Sequence, residues 1–347
     1  MSIEEADLTA DEASLILPSP LETPSSRMGR AMKVYTMAAI MFTQVGFATA
    51  YIIYWGNTLY DHYPHVMSKA LWVFAISPAF GLFALIRRLK SLAWVGFLGY
   101  WFIVGTIGVV AWYSFQHVFP TLPPGEVLMR ARAFPYHSLP VFLGIMLYTF
   151  EGIGLVVETQ KSMKEPELFM KVLRRVYVAL VVTFCLTGSL GYLAFGEDVD
   201  SIIILNLPKD AWYTLVCECM LAFGLIVSYP VQLFPVMYMA ENYFLDANGR
   251  HARHIEAWRN LVRFGVFFVT VILAALVPHF GLFMSLIGSV GSSSLMFIIP
   301  AVCHIRVFPN HRYLYGHYAI VLVGVVGGLM SFVTTMIDIV RVISGEE

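Results

Sequence analysis

Charge is what this sequence has least of: Asp, Glu, Lys and Arg supply 13% of 347 residues, about half the share of an average soluble domain. The formal net charge is -1, so there is no basic face for nucleic acid. Only four cysteines occur, Cys185, Cys217, Cys219 and Cys303. All four fall in apolar runs, which excludes a disulfide-built secreted scaffold. Cys217 and Cys219 flank Glu218 without a second ligand pair, so packing is favoured over a metal centre. The sequence has no H-E-x-x-H, no Gly-x-Gly-Asp pair and no Gly-x-x-x-x-Gly-Lys loop. Zinc hydrolysis, intramembrane aspartyl proteolysis and nucleotide-driven pumping lose their motifs. Most of the ten histidines are read as loop residues, among them His62, His65, His137, His251 and His254. No enzyme, metal or cofactor is expected.

What remains is apolar. The chain is 58% hydrophobic with a mean hydropathy of +0.72, more than one or two soluble cores can absorb. A helix needs roughly 20 apolar residues to cross a bilayer core of about 30 Å. Nine runs qualify: 34–58, 70–86, 91–116, 139–157, 176–195, 211–240, 260–277, 281–303 and 318–343. The seventh and eighth are separated only by Pro278, His279 and Phe280. The runs are continuously apolar rather than alternating, which excludes a barrel. The expected fold class is an all-α polytopic membrane protein with about nine transmembrane helices.

Basic residues test that count, because cytosolic loops retain Lys and Arg. With a cytosolic N-terminus and nine spans, 17 of the 22 basic residues fall on the cytosolic side. The other five are Lys69, Arg130, Arg132, Lys209 and Arg341. Residues 1–33 read as an acidic, proline-rich disordered tail, residues 34–343 as the membrane domain and residues 344–347 as a short C-terminal tail. The tail lacks a signal peptide's basic start and apolar core. In it, Asp11, Leu15 and Ile16 have the spacing of an acidic dileucine sorting signal. The sequence has no Asn-x-Ser/Thr sequon, which fits either an internal or a surface membrane.

An ionisable group inside a span costs at least about 2.5–3.5 kcal/mol, so each needs a reason. Glu151 stands beside Gly152 and Gly154, each weakening a helix by roughly 1 kcal/mol relative to alanine. An unwound segment with a carboxylate is how secondary transporters build a midplane site for substrate and proton. A glycine packing notch is the structural alternative. Glu218, about two turns into the sixth span, is either a proton relay or an acid facing a polar vestibule. Asp338 lies close enough to the end of its span to reach the interface. Tyr229 and Gln232 accompany Pro230 and Pro235, where a proline releases a carbonyl that a substrate or side chain can use. Ser285, Gly288, Ser289, Gly291 and Ser292 permit close helix approach or coordination, and Gln44 suits either role. A channel is disfavoured, since no repeated pore-lining charge or carbonyl loop is present.

Several of these segments are similar to one family in order and spacing: Gln44-Val45-Gly46-Phe47, Phe150-Glu151-Gly152-Ile153-Gly154, Met163-Lys164-Glu165-Pro166, Gly191 to Gly196, Ile204 to Pro208, and Ser285 to Pro300. They resemble the amino acid/auxin permeases, most of all the proton-coupled amino acid transporters of lysosomal, vacuolar and plasma membranes. The resemblance implies a leucine-transporter-like inverted-repeat fold and symport of small neutral amino acids with protons. It implies a substrate site at Phe150, Glu151, Gly152, Ile153 and Gly154, with Tyr229 as a second wall and Gln44 near the cavity. The small-residue segment adds Ser289. The two costly acids Glu151 and Glu218 are the proton-coupling candidates, Glu218 standing where the family would have an uncharged residue. The first span here is similar to the family's third, so the expectation is a chain short by two N-terminal spans. A further segment, an oligomer or a partner chain would then complete the cavity. The alternative expectation is a truncated, non-transporting membrane protein that senses a ligand or binds a partner.

Overall fold

The structure is a computed structural model that describes residues 27–84, 89–118, 136, 138–153, 156, 160, 163–244, 255–277, 279–308 and 314–345. Residues 1–26 of the acidic tail, with Asp11, Leu15 and Ile16, lie outside the described residues, as do Gly154, Pro278 and the histidines His137, His251 and His254. So do the basic residues Arg87, Arg88, Arg130, Arg132, Lys161, Arg250, Arg253 and Arg312.

Among the described residues the regular structure is helical. The helices are α1 (Arg27–His62), α2 (Lys69–Ala84), α3 (Leu89–Val118), α4 (Leu139–Phe150), α5 (Phe169–Phe195), α6 (Trp212–Phe244) and α7 (Ile255–Leu276). The run Phe280–Val307 follows as α8 and Leu314–Ser344 as α9. Six of them are long and apolar enough to cross a membrane. The chain is an all-helical, multi-pass membrane protein. The seventh and eighth spans do separate, α7 ending at Leu276 and α8 starting at Phe280.

Several helix bounds differ from the apolar runs, and three of them matter here. The first helix begins at Arg27 rather than 34, because Met32 packs against the cluster of Ala39, Leu295 and Ile299. It also continues to His62, whereas His62 was expected in a loop. The fourth span is not continuous to 157: it breaks after Phe150, where Glu151 adopts extended backbone with φ -69° and ψ 128° and Gly152 is also non-helical, and helix is described again at Ile153 and Val156.

α1 is the axis of the bundle and touches α2, α6, α7 and α8. Their shared core joins Ile52 and Ile53 of α1, Phe80 of α2, Tyr229 and Leu233 of α6, and Val271 of α7. α4 packs on both α8 and α9, which also touch each other, while α5 packs mainly on α3. Pro230 and Pro235 sit inside α6, tolerated because neighbouring helices in a membrane bundle can satisfy the freed backbone.

α8 is not a uniform helix. It passes from α turns at Phe280–Ile287 to π turns at Gly288–Ser292 and Ser294–Ile298, then back to α at Ile299–Val307. Ser289 donates to Leu286 O at 2.9 Å, Ser294 to Val290 O at 2.7 Å, and Ser293 to Ser289 O. Serines that bond back to carbonyls of their own helix compete with its regular ladder. Where α8 crosses α4, a Cβ on Gly288 would run into Gly144 O and lie 2.8 Å from Tyr148 N. Glycine is what allows these two backbones to meet.

The segment between α5 and α6 is held by side chains. Asn206 Oδ1 accepts the Asp200 N–H at 2.7 Å, and Asn206 Nδ2 donates to Asp198 O at 2.9 Å. Gly196 takes a φ of +66°, which only glycine adopts at little cost. The family-like residues of this block therefore shape a loop.

Candidate functional site

Helix α4 stops at Phe150, leaving backbone groups without helical partners. Tyr177 of α5 donates its hydroxyl to Phe150 O at 3.3 Å, and Glu151 Oε1 accepts the Ile153 N–H at 3.1 Å. The carboxylate thus caps the break that its own segment creates. Gly152 leaves room beside Tyr177, whose hydroxyl would lie 3.6 Å from a Cβ there.

This break opens on a cavity of about 310 Å³ lined by Gln44, Phe47 and Tyr51 of α1, Tyr148 and Thr149 of α4, Glu151, Gly152, and Gln232 of α6. Gln232 Nε2 donates to Gln44 Oε1 at 2.5 Å, joining α1 and α6 across one wall. Phe47 and Tyr148 meet edge to face with centroids 4.5 Å apart. The lining holds one carboxylate, two carboxamides and three aromatic rings, a largely apolar surface with a few convergent polar groups.

Three of the expected residues come together here: Gln44, Glu151 and Gly152. Others do not line it. Tyr229 is fully buried between helices, its hydroxyl 2.7 Å from Thr270 Oγ1 and its ring against Phe80. Proline-bearing α6 turns Gln232, not Tyr229, to the cavity. Ser289 is buried and bonded within α8. The ring of Phe150 packs on Phe184 of α5 at 5.8 Å, and Ile153 is exposed. Tyr51 and Tyr148 were not singled out from sequence. The heptad spacing of Gln44, Tyr51 and Thr58 on α1 carries the signal that would have found Tyr51.

Glu218 is elsewhere. It is buried, with Oε2 3.5 Å from His62 Nε2. Beside it Lys209 pairs with Asp61 at 2.7 Å. Toward the other end of α6, Glu241 pairs with Arg263 of α7 at 2.5 Å. Asp338 pairs with Arg341 within α9 at 3.6 Å, in line with a structural role. The cysteines are all free.

Comparison with known proteins agrees with the helical bundle. The family described as "Transmembrane amino acid transporter protein" matches residues 22–340. Vacuolar amino acid transporter 3 of Saccharomyces cerevisiae is 30% identical over 288 residues, covering 80% of this chain and 41% of the relative. The protein of the same name in Schizosaccharomyces pombe is 28% identical, covering 82% of this chain and 43% of its own length. Amino acid transporter AVT3B of Arabidopsis thaliana is 28% identical, with coverages of 78% and 65%. The chain therefore spans less than half the length of these yeast relatives and less than two thirds of the plant one. Its relatives are named as transporters rather than enzymes, and with its family match over nearly the whole membrane domain the chain belongs to the transmembrane amino acid transporter family, the amino acid/auxin permeases.

Proposed function

We propose that this chain takes part in secondary active transport of small neutral amino acids together with protons, with the cavity at the α4 break as its substrate site. The observation that carries this reading is the meeting of Glu151, Gln44 and Gln232 around about 310 Å³. That volume is at the small end of ligand pockets, which run from about 300 to 1,000 Å³. Glu151 is the one Asp, Glu, Lys or Arg among the described lining residues. It suits the substrate ammonium or the coupled proton, while the paired carboxamides offer polarity without net charge. No described lining group supplies the cation that an acidic side chain would need, which favours neutral substrates.

The names of the yeast relatives favour a vacuolar or lysosomal membrane over the plasma membrane. The Lys and Arg asymmetry favours a cytosolic N-terminus. A further segment or a partner chain that completes the cavity wall belongs to the same proposal.

The test is uptake of alanine and proline into proteoliposomes holding this chain, with and without an imposed pH gradient. Gradient-driven uptake is expected, and Glu151→Gln should reduce it about tenfold or more, the scale of one charge-assisted hydrogen bond. Uptake indifferent to the gradient would remove proton coupling. Alanine binding without uptake would favour the sensing alternative, and neither binding nor uptake by the folded, inserted chain would overturn transport by this chain alone and point to a transporter completed by a further segment or partner chain.

A further inference from the structure

His62 and Glu218 meet where α1 ends and α6 begins, far from the Glu151 cavity. From Gln44 to His62 is 18 positions along α1, about 27 Å at 1.5 Å per residue. Each group is there for a local reason. Tyr54, Thr58 and His62 recur every four residues and share one face of α1. Glu218 lies one turn and a half into α6 and points back to that face, buried to 8% side-chain exposure, with His62 at 22%. Removing a carboxylate from water without a partner is costly. The partner within reach is an imidazole.

The other ring nitrogen fixes what that imidazole offers. His62 Nδ1 lies 3.1 Å from Thr58 O. A carbonyl only accepts, so Nδ1 carries the hydrogen. In neutral His62 the Nε2 atom then presents a lone pair to a carboxylate oxygen 3.5 Å away. Lone pair against anion is repulsive, and one added proton converts the contact into an ion pair. We infer that His62 and Glu218 together form a binding site for one exchangeable proton, on the α1–α6 contact and separate from Glu151.

The proton balance is simple. Without it the pair is neutral imidazole plus carboxylate, net charge -1. With it the pair is imidazolium plus carboxylate, net charge zero. Among the described residues, the cation besides His62 that acts on Glu218 is Lys209. From α1, Tyr54 and Asp61 face the pair, and Asp61 already holds Lys209 of the preceding loop at 2.7 Å. Cys217 adjoins Glu218 on α6, and Tyr113 of α3 packs against the cluster that contains Tyr54. The same two helices are joined by Trp55 Nε1 donating to Ala222 O at 3.3 Å and by the Gln232–Gln44 bond at the cavity. Losing the proton leaves like-signed electron density between α1 and α6, so the acidity of the compartment at this end bears on the helix pair that walls the cavity.

This deepens the proton-coupled reading above and rests on it for its physiological role, but its test reads the proton with no substrate present. The whole chain, labelled with nitrogen-15 at histidine, is reconstituted in lipid nanodiscs and titrated by NMR, with His62→Gln used to assign the His62 signals. Two results are expected: the neutral form carries its hydrogen on Nδ1, and the Nε2 signal of the protonated ring moves on Glu218→Gln, since its charge-assisted carboxylate partner is gone. A neutral form protonated on Nε2, or an Nε2 signal that Glu218→Gln leaves unmoved, overturns the site. Should Glu218→Gln fail to fold, Glu218→Asp replaces it under the same criterion, because retracting the carboxylate by one methylene weakens the pair. Absence of amino acid uptake leaves this readout intact.

Discussion

Helices α5 and α8 are alike by hydropathy and opposite in position. Their most apolar stretches average 2.0 and 1.9, yet 11% of the first is buried and 61% of the second. The difference lies in which residues dilute the apolar ones. α5 turns Val178, Val182, Phe184 and Leu186 outward. α8 places Ser285, Gly288, Ser289, Gly291 and Ser292 inside. In lipid there is no hydrophobic drive between helices, so close approach and interhelical hydrogen bonds decide which helix is central. Hydropathy tells that a helix crosses; small and hydroxyl-bearing residues tell where it stands.

The sharpest way to break this contrast is a large side chain at a glycine of each helix. Leu at Gly288 cannot be placed without pushing α4 away, because its Cβ alone would meet backbone atoms of Gly144 and Tyr148. Gly288→Leu should lower stability by about 3 kcal/mol or more, the upper range for overpacking, seen as an earlier unfolding midpoint in detergent. It should also abolish substrate binding, since α4 carries Tyr148 and Thr149. Gly188 of α5 has nothing within 4 Å of its Cβ position. Gly188→Leu should change stability by less than about 1 kcal/mol, in the stabilising direction set by helix propensity. Equal losses at both positions would abolish the distinction.

A smaller effect separates hydroxyls that bridge helices from those that do not. Ser285 Oγ of α8 lies 2.7 Å from Thr335 Oγ1 of α9. Thr183 Oγ1 of α5 donates to Ala179 O of its own helix at 2.8 Å. Ser285→Ala should cost about 0.6–1.7 kcal/mol, the range for interhelical bonds in membrane bundles. Thr183→Ala should cost only a few tenths. A double-mutant cycle between Ser285 and Thr335 that gives no coupling would reduce the α8–α9 contact to packing alone.

The same contrast explains what could be read from sequence. Nine apolar runs are visible because spanning is a property of each run by itself. The end of α4 at Phe150 is visible because Gly152 and Glu151 are both out of place in a regular helix. The α7–α8 division follows from Pro278 and its neighbours. Rotation of a helix about its axis is not written in the same way. Tyr229 and Gln232 are three residues apart on α6, and only the packing of α6 against α7 and α1 decides that Tyr229 bonds Thr270 while Gln232 reaches Gln44. His62 was assigned to a loop because hydropathy fades before the helix does. Its partner Glu218 is 156 positions away, and no local pattern links them. Asn206, read as part of a family motif, proved to be a loop staple for a similar reason: its partners are backbone atoms at Asp198 and Asp200.

The least effect is expected at Asp338, and it tests the outer helices in particular. α9 is 22% buried over its most apolar stretch, and Asp338 pairs at 3.6 Å with Arg341 one turn away, with side-chain exposures of 32% and 58%. Both side chains are near enough to the helix end to reach water or headgroups, where two charges attract weakly and salt screens them. Holding them together also costs side-chain freedom. Asp338→Asn should therefore shift stability by no more than about 0.5 kcal/mol, with the residual effect shrinking as salt is raised. A salt-independent loss above about 1.5 kcal/mol would mean that the pair sits in a dry environment. α9 would then need a covering surface on its outer side, and the division between inner α8 and outer helices would hold for α5 alone.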